Sequence, residues 1–180
     1  MTPTGPRAAG KLKPGDLIVT RDHGLQPVRW MGRRTVRATG ALAPIQFDAG
    51  VFGNPHALRV SPQHRMLLRD SALRLTHGVD EMLVAAKHMV NDTTIRQISG
   101  GTIEYVHLMF DRHAIIFAEG IESESFHPGE MGYEALAPAG RSELFALFPE
   151  LAVSGPQGYG PSSRETLKPW EVPASFARSA

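Results

Sequence analysis

Short apolar runs alternate with turn residues along the chain as far as residue 128. Residues 17–20, 25–31, 102–110 and 114–118 are rich in branched aliphatic and aromatic side chains. Glycine, proline, asparagine and aspartate stand between such runs, as they do between the strands of β-proteins. The pattern predicts an all-β fold built from many short strands.

One apolar run is interrupted by Ser-Pro-Gln-His at positions 61–64. Pro62 has no N–H to donate to a sheet, so we expect the backbone to bend there. The hydroxyl of Ser61 and the imidazole of His64 would then share one rigid bend, where a proton donor could be held firmly. The residues alone leave an alternative equally open, a plain turn whose histidine caps the bend.

The apolar pattern also predicts which side chains form the core. Large apolar residues inside the strand runs should point into it, since alternate positions of a strand face the same side. The residues expected to be buried are Val60, Leu67, Phe110, Ile115 and Phe117.

The last third of the chain has a different character. Ser142, an early glutamate and an apolar run predict a short helix over residues 142–148, with Ser142 as its N-cap. Residues 153–163 are rich in glycine, proline and serine and predict a loop. We expect a β-domain over residues 1–128 and a C-terminal extension over residues 129–180.

A weak internal repeat connects the two halves of the predicted β-domain. Residues 8–19 are similar to residues 85–95, and residues 25–31 have a counterpart in residues 103–109. Two similar β-units with a pseudo-two-fold relation, in a flattened disc or horseshoe, would explain the repeat. With so few identities, chance similarity is the rival explanation.

Composition excludes several function classes. The chain has 180 residues, 42% of them apolar, and a formal net charge of +1, so charge gives no reason to expect nucleic-acid or membrane binding. It contains no cysteine, which excludes disulfides and thiolate metal sites. The sequence contains no run of about 18 apolar residues, the length that would predict a membrane span. Residues 1–6 lack the basic and apolar regions of a signal peptide.

Four segments carry a resemblance to a known family. Residues 12–20 contain a Gly-Asp pair before a strand run, and residues 84–88 are their second-half counterpart. Residues 60–66 resemble a Thr-x-x-His block with serine in place of threonine. Residues 105–121 resemble a late block that ends in His-Asn-Phe-x-x-Asn-Gly. In this order they resemble the Hint module shared by hedgehog autoprocessing domains and inteins, most closely its bacterial hedgehog/intein-like branch, over roughly residues 2–128.

The resemblance implies an autoprocessing chemistry. A cysteine or serine at the first position of the module attacks the preceding carbonyl and converts an amide into a thioester or ester. By resemblance, His64 protonates the leaving amide nitrogen and Ser61 stabilises the same region. His113 would be the late-block histidine, aided by Asp111, and we expect these side chains in one cleft near the N-terminus. The implied partner is the polypeptide joined upstream, and no cofactor is expected.

The departures from the family pattern concern the nucleophile and the C-terminal asparagine. The nucleophile should lie before residue 2, about one strand upstream, and no cysteine replaces it. Glu122-Ser123-Glu124-Ser125-Phe126 stands where inteins carry His-Asn and a following nucleophile. Cyclisation and ligation cannot occur without that asparagine. We therefore expect the parent protein to cleave and this chain to be inactive.

Two alternative functions stay open at this point. One is a non-catalytic β-scaffold or interaction module on a larger bacterial protein, whose secretion is left open. The other is a metal hydrolase that uses a histidine cluster. Its candidate ligands are His56, His64, His107 and His113, whose spacing matches no compact metal motif. A monomer is expected with either function.

Overall fold

The computed structural model describes residues 1–129 and 138–173, which form two compact units. The first unit combines Met1–Arg34, Val106–Ile116 and Ser125–Ser163. The second combines Thr35–Tyr105, Phe117–Glu124 and the residues from Arg164 onward. Each unit therefore contains segments that are distant in sequence. The division expected at residue 128 stays a prediction.

Strands dominate the described part of the chain. The described strands are β1 (Leu17–Thr20), β2 (Gly24–Pro27), β3 (Trp30–Arg37), β4 (Ile45–Phe47), β5 (Leu58–Val60), β6 (Arg65–Arg69), β7 (Glu81–Ala85), β8 (Ile95–Gln97), β9 (Thr102–Met109), β10 (Ile115–Ala118) and β11 (Ile121–Glu124). The described α-helices are α1 (Ser71–His77), α2 (Pro138–Leu147) and α3 (Pro149–Ser154). The prediction of an all-β fold with a short helical C-terminal region is confirmed. None of the helices that the structure describes is both long and apolar enough to cross a membrane.

In the first unit, β1 is the central strand of an antiparallel arrangement. It pairs with β2, with Leu17 opposite Pro27, and it meets β10 at Thr20 and Ile116. The turn before β1 is closed by the Asp16 carboxylate, which accepts the Lys13 N–H at 2.9 Å. One face of these strands buries a core of Leu12, Ile18, Val28, Leu108, Phe110 and Ala114.

A second core of the first unit forms around Trp30. The ring is 1% exposed, and its Nε1–H donates to a carboxylate oxygen of Glu143 in α2 at 3.2 Å. Gly32 lies so close that a Cβ there would stand 2.4 Å from the Trp30 ring, so only glycine fits. The remaining members of this core come from β9, α2, α3 and the segment after α3: Met109, Leu144, Phe148, Leu151 and Tyr159.

The helical region differs from the prediction in its boundaries. The first helix begins at Pro138, so Ser142 lies inside it and the predicted N-cap is wrong. Pro149 opens α3, and a 3-10 helix at Gly155–Tyr159 occupies part of the predicted loop. Proline fits the first turn of a helix because its missing N–H has no intrahelical partner there. Packing of the apolar side chains of this region around Trp30 adds tertiary support to both helices.

The second unit contains strands of two antiparallel sheets and a large hydrophobic core of its own. One sheet has the order β5-β4-β8, and the other includes β11, β6 and β7 in that order. Across the first, Ile45 faces Val60 and Phe47 faces Ile95. Between them lie buried side chains from both sheets, among them Ile45, Phe47, Met66, Leu68, Leu73, Met82, Val84 and Ile121.

Helix α1 follows β6 and is capped at both ends by neighbouring residues. The Asp70 carboxylate accepts the Ala72 N–H at 2.8 Å, which makes Asp70 the N-cap. Gly78 adopts a left-handed φ of 72°, and its N–H donates to the Arg74 carbonyl. Only Leu73 of the helix is buried, so α1 is a short surface helix held at its ends.

Four of the five predicted core residues are buried, and one is not. Val60, Leu67, Phe110 and Ile115 have at most 8% of their surface exposed. Phe117 is half-buried and lines an open pocket of the second unit together with Phe52, Leu67 and Gly120. The prediction for Phe117 is wrong because its ring lines this open pocket, so part of the ring stays in contact with solvent.

Local structure supports the internal repeat. Its two aligned segments each form a 3-10 helix, at Ala9–Lys11 and at Ala86–His88. Each turn is closed the same way, by the Leu12 N–H on the Ala9 carbonyl and by the Met89 N–H on the Ala86 carbonyl. The later aligned stretches differ, because residues 25–31 contain the end of β2, a break and the start of β3, whereas residues 103–109 lie within β9. The pseudo-two-fold relation of whole units stays a prediction.

Candidate functional site

Ser61 and His64 lie at the two ends of one tight turn between β5 and β6. The His64 N–H donates to the Ser61 carbonyl at 3.0 Å, which closes the turn, and Pro62 is buried inside it. Proline suits the second position of such a turn because its fixed φ matches the required geometry. Both side chains are half-buried. The structure thus brings this predicted pair together on one bend.

The start of the neighbouring 3-10 helix holds the turn in place. The Ala86 N–H donates to the His64 carbonyl at 2.9 Å, and the Lys87 N–H donates to the Pro62 carbonyl at 3.0 Å. Two carbonyls of the turn are therefore fixed from outside it. A backbone held this way restricts the positions open to the His64 ring, which a proton donor in catalysis requires.

Glu124 fixes the residue that follows His64. One carboxylate oxygen accepts the Arg65 N–H at 3.0 Å, and the other accepts from the Arg65 guanidinium at 3.2 Å. The Glu124 side chain is 10% exposed and that of Arg65 is 34% exposed, so the carboxylate is the largely buried member of the pair. Hydrogen bonds to a charged group in such surroundings are stronger than bonds between neutral groups. Glu124 therefore anchors the backbone on the C-terminal side of the turn.

His113 lies in the first unit and is 3% exposed. Its Nε2 is 3.1 Å from the Ser125 carbonyl oxygen. Its Nδ1 is 2.9 Å from the Ser163 amide nitrogen and 3.2 Å from the hydroxyls of Ser162 and Ser163. Both ring nitrogens therefore have hydrogen-bond partners within the protein.

These partners determine the tautomer of His113. A carbonyl oxygen can only accept a hydrogen bond, so Nε2 carries the ring hydrogen that points to Ser125. An amide N–H can only donate, so Nδ1 presents its lone pair to Ser163. The ring is thus assigned as the Nε2–H tautomer by its surroundings.

Asp111 forms an ion pair in the first unit. Its carboxylate lies 3.0 Å from the Arg29 guanidinium, and the two side chains are 58% and 51% exposed. Asp111 is therefore an exposed strand-end carboxylate paired with an arginine. The expectation that Asp111 aids His113 stays a prediction.

The four predicted site residues are divided between the units. Ser61 and His64 belong to the second unit, and Asp111 and His113 belong to the first. Within each unit their positions are as described above. The expectation that all four share one cleft stays a prediction, and so does the catalytic role of each.

The histidines of the alternative metal hypothesis have other contacts. His56 is exposed, and its Nδ1 lies 3.0 Å from the Glu119 carboxylate. The His107 ring packs against Phe126 with the ring centres 5.0 Å apart. Within the described residues, no group of three or more histidine, aspartate or glutamate side chains is arranged to hold a metal ion.

Sequence reasoning missed three groups that the structure connects with the site residues. They are Glu124, the hydroxyl of Ser125 and the serine pair at residues 162–163. The Ser125 hydroxyl accepts the Ala114 N–H at 3.0 Å, next to the His113 ring. The sequence offered one signal for these groups, the run Glu-Ser-Glu-Ser at residues 122–125 directly after Ile121. Polar side chains are seldom buried, so a polar run that continues a strand is a candidate for specific hydrogen bonds.

Comparison with protein families identifies the chain at the level of its domain. A family model described as Hint domain matches residues 1–130, which is well over half of the chain and includes the turn at residues 61–64 and His113. Searches of curated proteins and of solved structures returned no match. The chain therefore belongs to the Hint domain family.

Proposed function

We propose that the chain is the body of an autoprocessing module of the bacterial hedgehog/intein-like kind. It would cleave the peptide bond to a polypeptide joined at its N-terminal side, and that polypeptide would be its partner. The observation that supports this best is the turn at residues 61–64 in a Hint domain, where a rigid backbone carries a half-buried serine and histidine.

The proposed step is an acyl shift with His64 as the proton donor. A cysteine thiol or serine hydroxyl loses its proton and attacks the carbonyl carbon of the residue before it, so a C–S or C–O bond forms and the C–N bond breaks. The departing nitrogen takes a proton from His64, whose proton is replaced overall by that of the nucleophile. Ser61 lies across the turn from His64 and would hydrogen-bond the same peptide group.

We further propose that residues 1–180 alone do not process themselves. Their sequence contains no cysteine, and no asparagine stands where inteins cyclise. Ser125 at that place is 1% exposed, with its hydroxyl engaged by the Ala114 N–H, and Glu124 is bound to Arg65. A processing reaction therefore ends with cleavage and involves no ligation.

The test restores a nucleophile and measures cleavage. A reporter peptide and a β-strand that begins with cysteine are joined upstream of Met1, a thiol is added, and intact mass is followed over time. We expect cleavage at the cysteine. His64→Ala should slow it by roughly 10²–10⁴-fold, the usual contribution of a positioned general acid.

A matched control and two contrary outcomes complete this test. His56→Ala removes an exposed histidine of the same unit and should leave the cleavage rate unchanged. Equal rates for His64→Ala and the unmodified chain would make His64 a turn residue only. Absence of cleavage in every variant would favour the alternative, a non-catalytic β-scaffold.

A further inference from the structure

The C-terminal segment that covers His113 lies outside the residues matched by the family model. That match ends at residue 130, whereas the Nδ1 partners of His113 are Ser162 and Ser163. All of these residues belong to the first unit, and the ring they cover is 3% exposed. The segment therefore encloses a histidine of the Hint domain from a later part of the chain.

Further contacts of the same segment lie beside the His113 ring. The Tyr159 hydroxyl donates to the Phe110 carbonyl at 2.8 Å, and burial raises the pKa of this hydroxyl, which keeps it a donor. The His127 Nε2–H donates to the Gly160 carbonyl at 3.1 Å. The His127 ring also meets His113 and Tyr159 edge-on, at 5.0 and 5.5 Å between ring centres.

We propose that residues 159–163, here called the latch, are an autoinhibitory contact that withholds His113 from the processing reaction. The inhibitory consequence rests on the proposed function and on the part that the family resemblance implies for His113 as the late-block histidine. The closure itself rests only on the contacts of the latch. Displacement of the latch would uncover the ring and expose Nδ1.

The hydrogen-bond directions explain why a closed latch inhibits. A histidine that transfers a proton needs a ring nitrogen within hydrogen-bond reach of the reacting group. In the closed state Nε2–H is bound to the Ser125 carbonyl, and Nδ1 accepts from the Ser163 amide. Neither nitrogen can reach a scissile peptide without breaking one of these bonds, and the Ser163 bond belongs to the more peripheral element.

The amide of Ser163 is the group that the test should remove. It is the closest donor to Nδ1, at 2.9 Å, and proline at this position would abolish it. Ser163→Ala keeps the amide and removes only the hydroxyl, so it is the matched control. Tyr159→Phe opens the latch independently, because it removes the hydrogen bond to Phe110 while it keeps the ring.

The first measurement is chemical labelling of the 180-residue chain. Diethyl pyrocarbonate acylates accessible histidine nitrogens, and peptide mass mapping gives the rate for each histidine. His56, with 78% of its side chain exposed, should react at the same rate in every variant and serves as the internal standard. We expect His113 to be protected in the unmodified chain and in Ser163→Ala.

Opening of the latch should appear as faster labelling of His113. Ser163→Pro should raise the rate about tenfold, because the buried Nδ1 loses its amide donor. Tyr159→Phe should raise it less, and circular dichroism checks that both variants stay folded. Protection of His113 in both folded variants would overturn the latch.

The second measurement concerns inhibition and uses the chain extended upstream with a cysteine-bearing strand. Ser163→Pro should then cleave faster than the unmodified chain, and Ser163→Ala should not. Faster labelling without faster cleavage would overturn the inhibitory role. Absence of cleavage in every variant would contradict the proposed function, and the inhibitory role with it, whereas the labelling result decides separately whether the latch closes over His113.

Discussion

At the scale of single residues, the Glu124 carboxylate holds the backbone directly after His64. It binds both the amide and the guanidinium of Arg65 while it is itself largely buried. Glu124→Gln removes the charge from this pair. We expect the free energy of unfolding to fall by about 1–3 kcal/mol, the range for a buried group that loses a charged partner.

Urea denaturation measures this change, and another glutamate of the second unit provides the comparison. Glu119 forms an exposed ion pair with His56. Glu119→Gln should therefore change the free energy of unfolding by less than about 1 kcal/mol, as is usual for exposed pairs. Equal losses in the two variants would show that Glu124 is not a special anchor.

The core of the first unit supplies a second prediction at residue scale. Phe110 is fully buried among Ile18, Leu108 and Ala114. Phe110→Ala should lower the free energy of unfolding by about 3–5 kcal/mol, because it removes a buried ring and leaves a cavity. Phe52→Ala, at a ring that is 37% exposed, should cost clearly less in the same denaturation experiment. A small loss for Phe110→Ala would contradict its place in the core.

Single residues were predictable from the sequence where local chemistry decides their conformation. Pro62 indicates a bend by its missing N–H, and the structure has a turn there. The burial of Glu124 was not predictable, since its partner lies 59 positions away in the chain. The covering of His113 by Ser163 was hidden for the same reason, with a separation of 50 positions.

At the scale of elements, α1 depends on its N-cap. The Asp70 carboxylate satisfies an amide of the first turn, and only one residue of the helix is buried. Asp70→Ala should lower the free energy of unfolding by about 0.5–2 kcal/mol, whereas Asp70→Ser should preserve most of it. Thermal melts by circular dichroism measure both. An alanine variant as stable as the serine variant would show that the cap contributes nothing.

Strands were easier to predict than helices because apolar runs between turn residues specify them locally. The run at residues 17–20 forms β1 as expected, and that at 102–110 forms β9 apart from its last residue. Helices α2 and α3 begin at prolines, a local start signal that the prediction did not use. The packing of Leu144, Phe148 and Leu151 around Trp30 was not predictable, since Trp30 and Glu143 of α2 are 113 positions apart in the chain.

At the scale of the whole molecule, the family resemblance rested on four segments that occur in the family's order along the sequence. It was confirmed at the level of the Hint domain. The two matching 3-10 helices agree with the repeat that suggested duplicated β-units. The chemistry proposed for the module depends on residues of both units, Ser61 and His64 in one and His113 in the other. That these residues act on one scissile bond stays a prediction.

The central claim is that this Hint domain forms a reactive ester or thioester when an upstream nucleophile is supplied. The most direct measurement is mass spectrometry of the upstream-extended chain after treatment with hydroxylamine. The account predicts two products, a released peptide with a C-terminal hydroxamate and a remaining chain that begins at the supplied cysteine. A single intact mass, or cleavage at any other position, would contradict it.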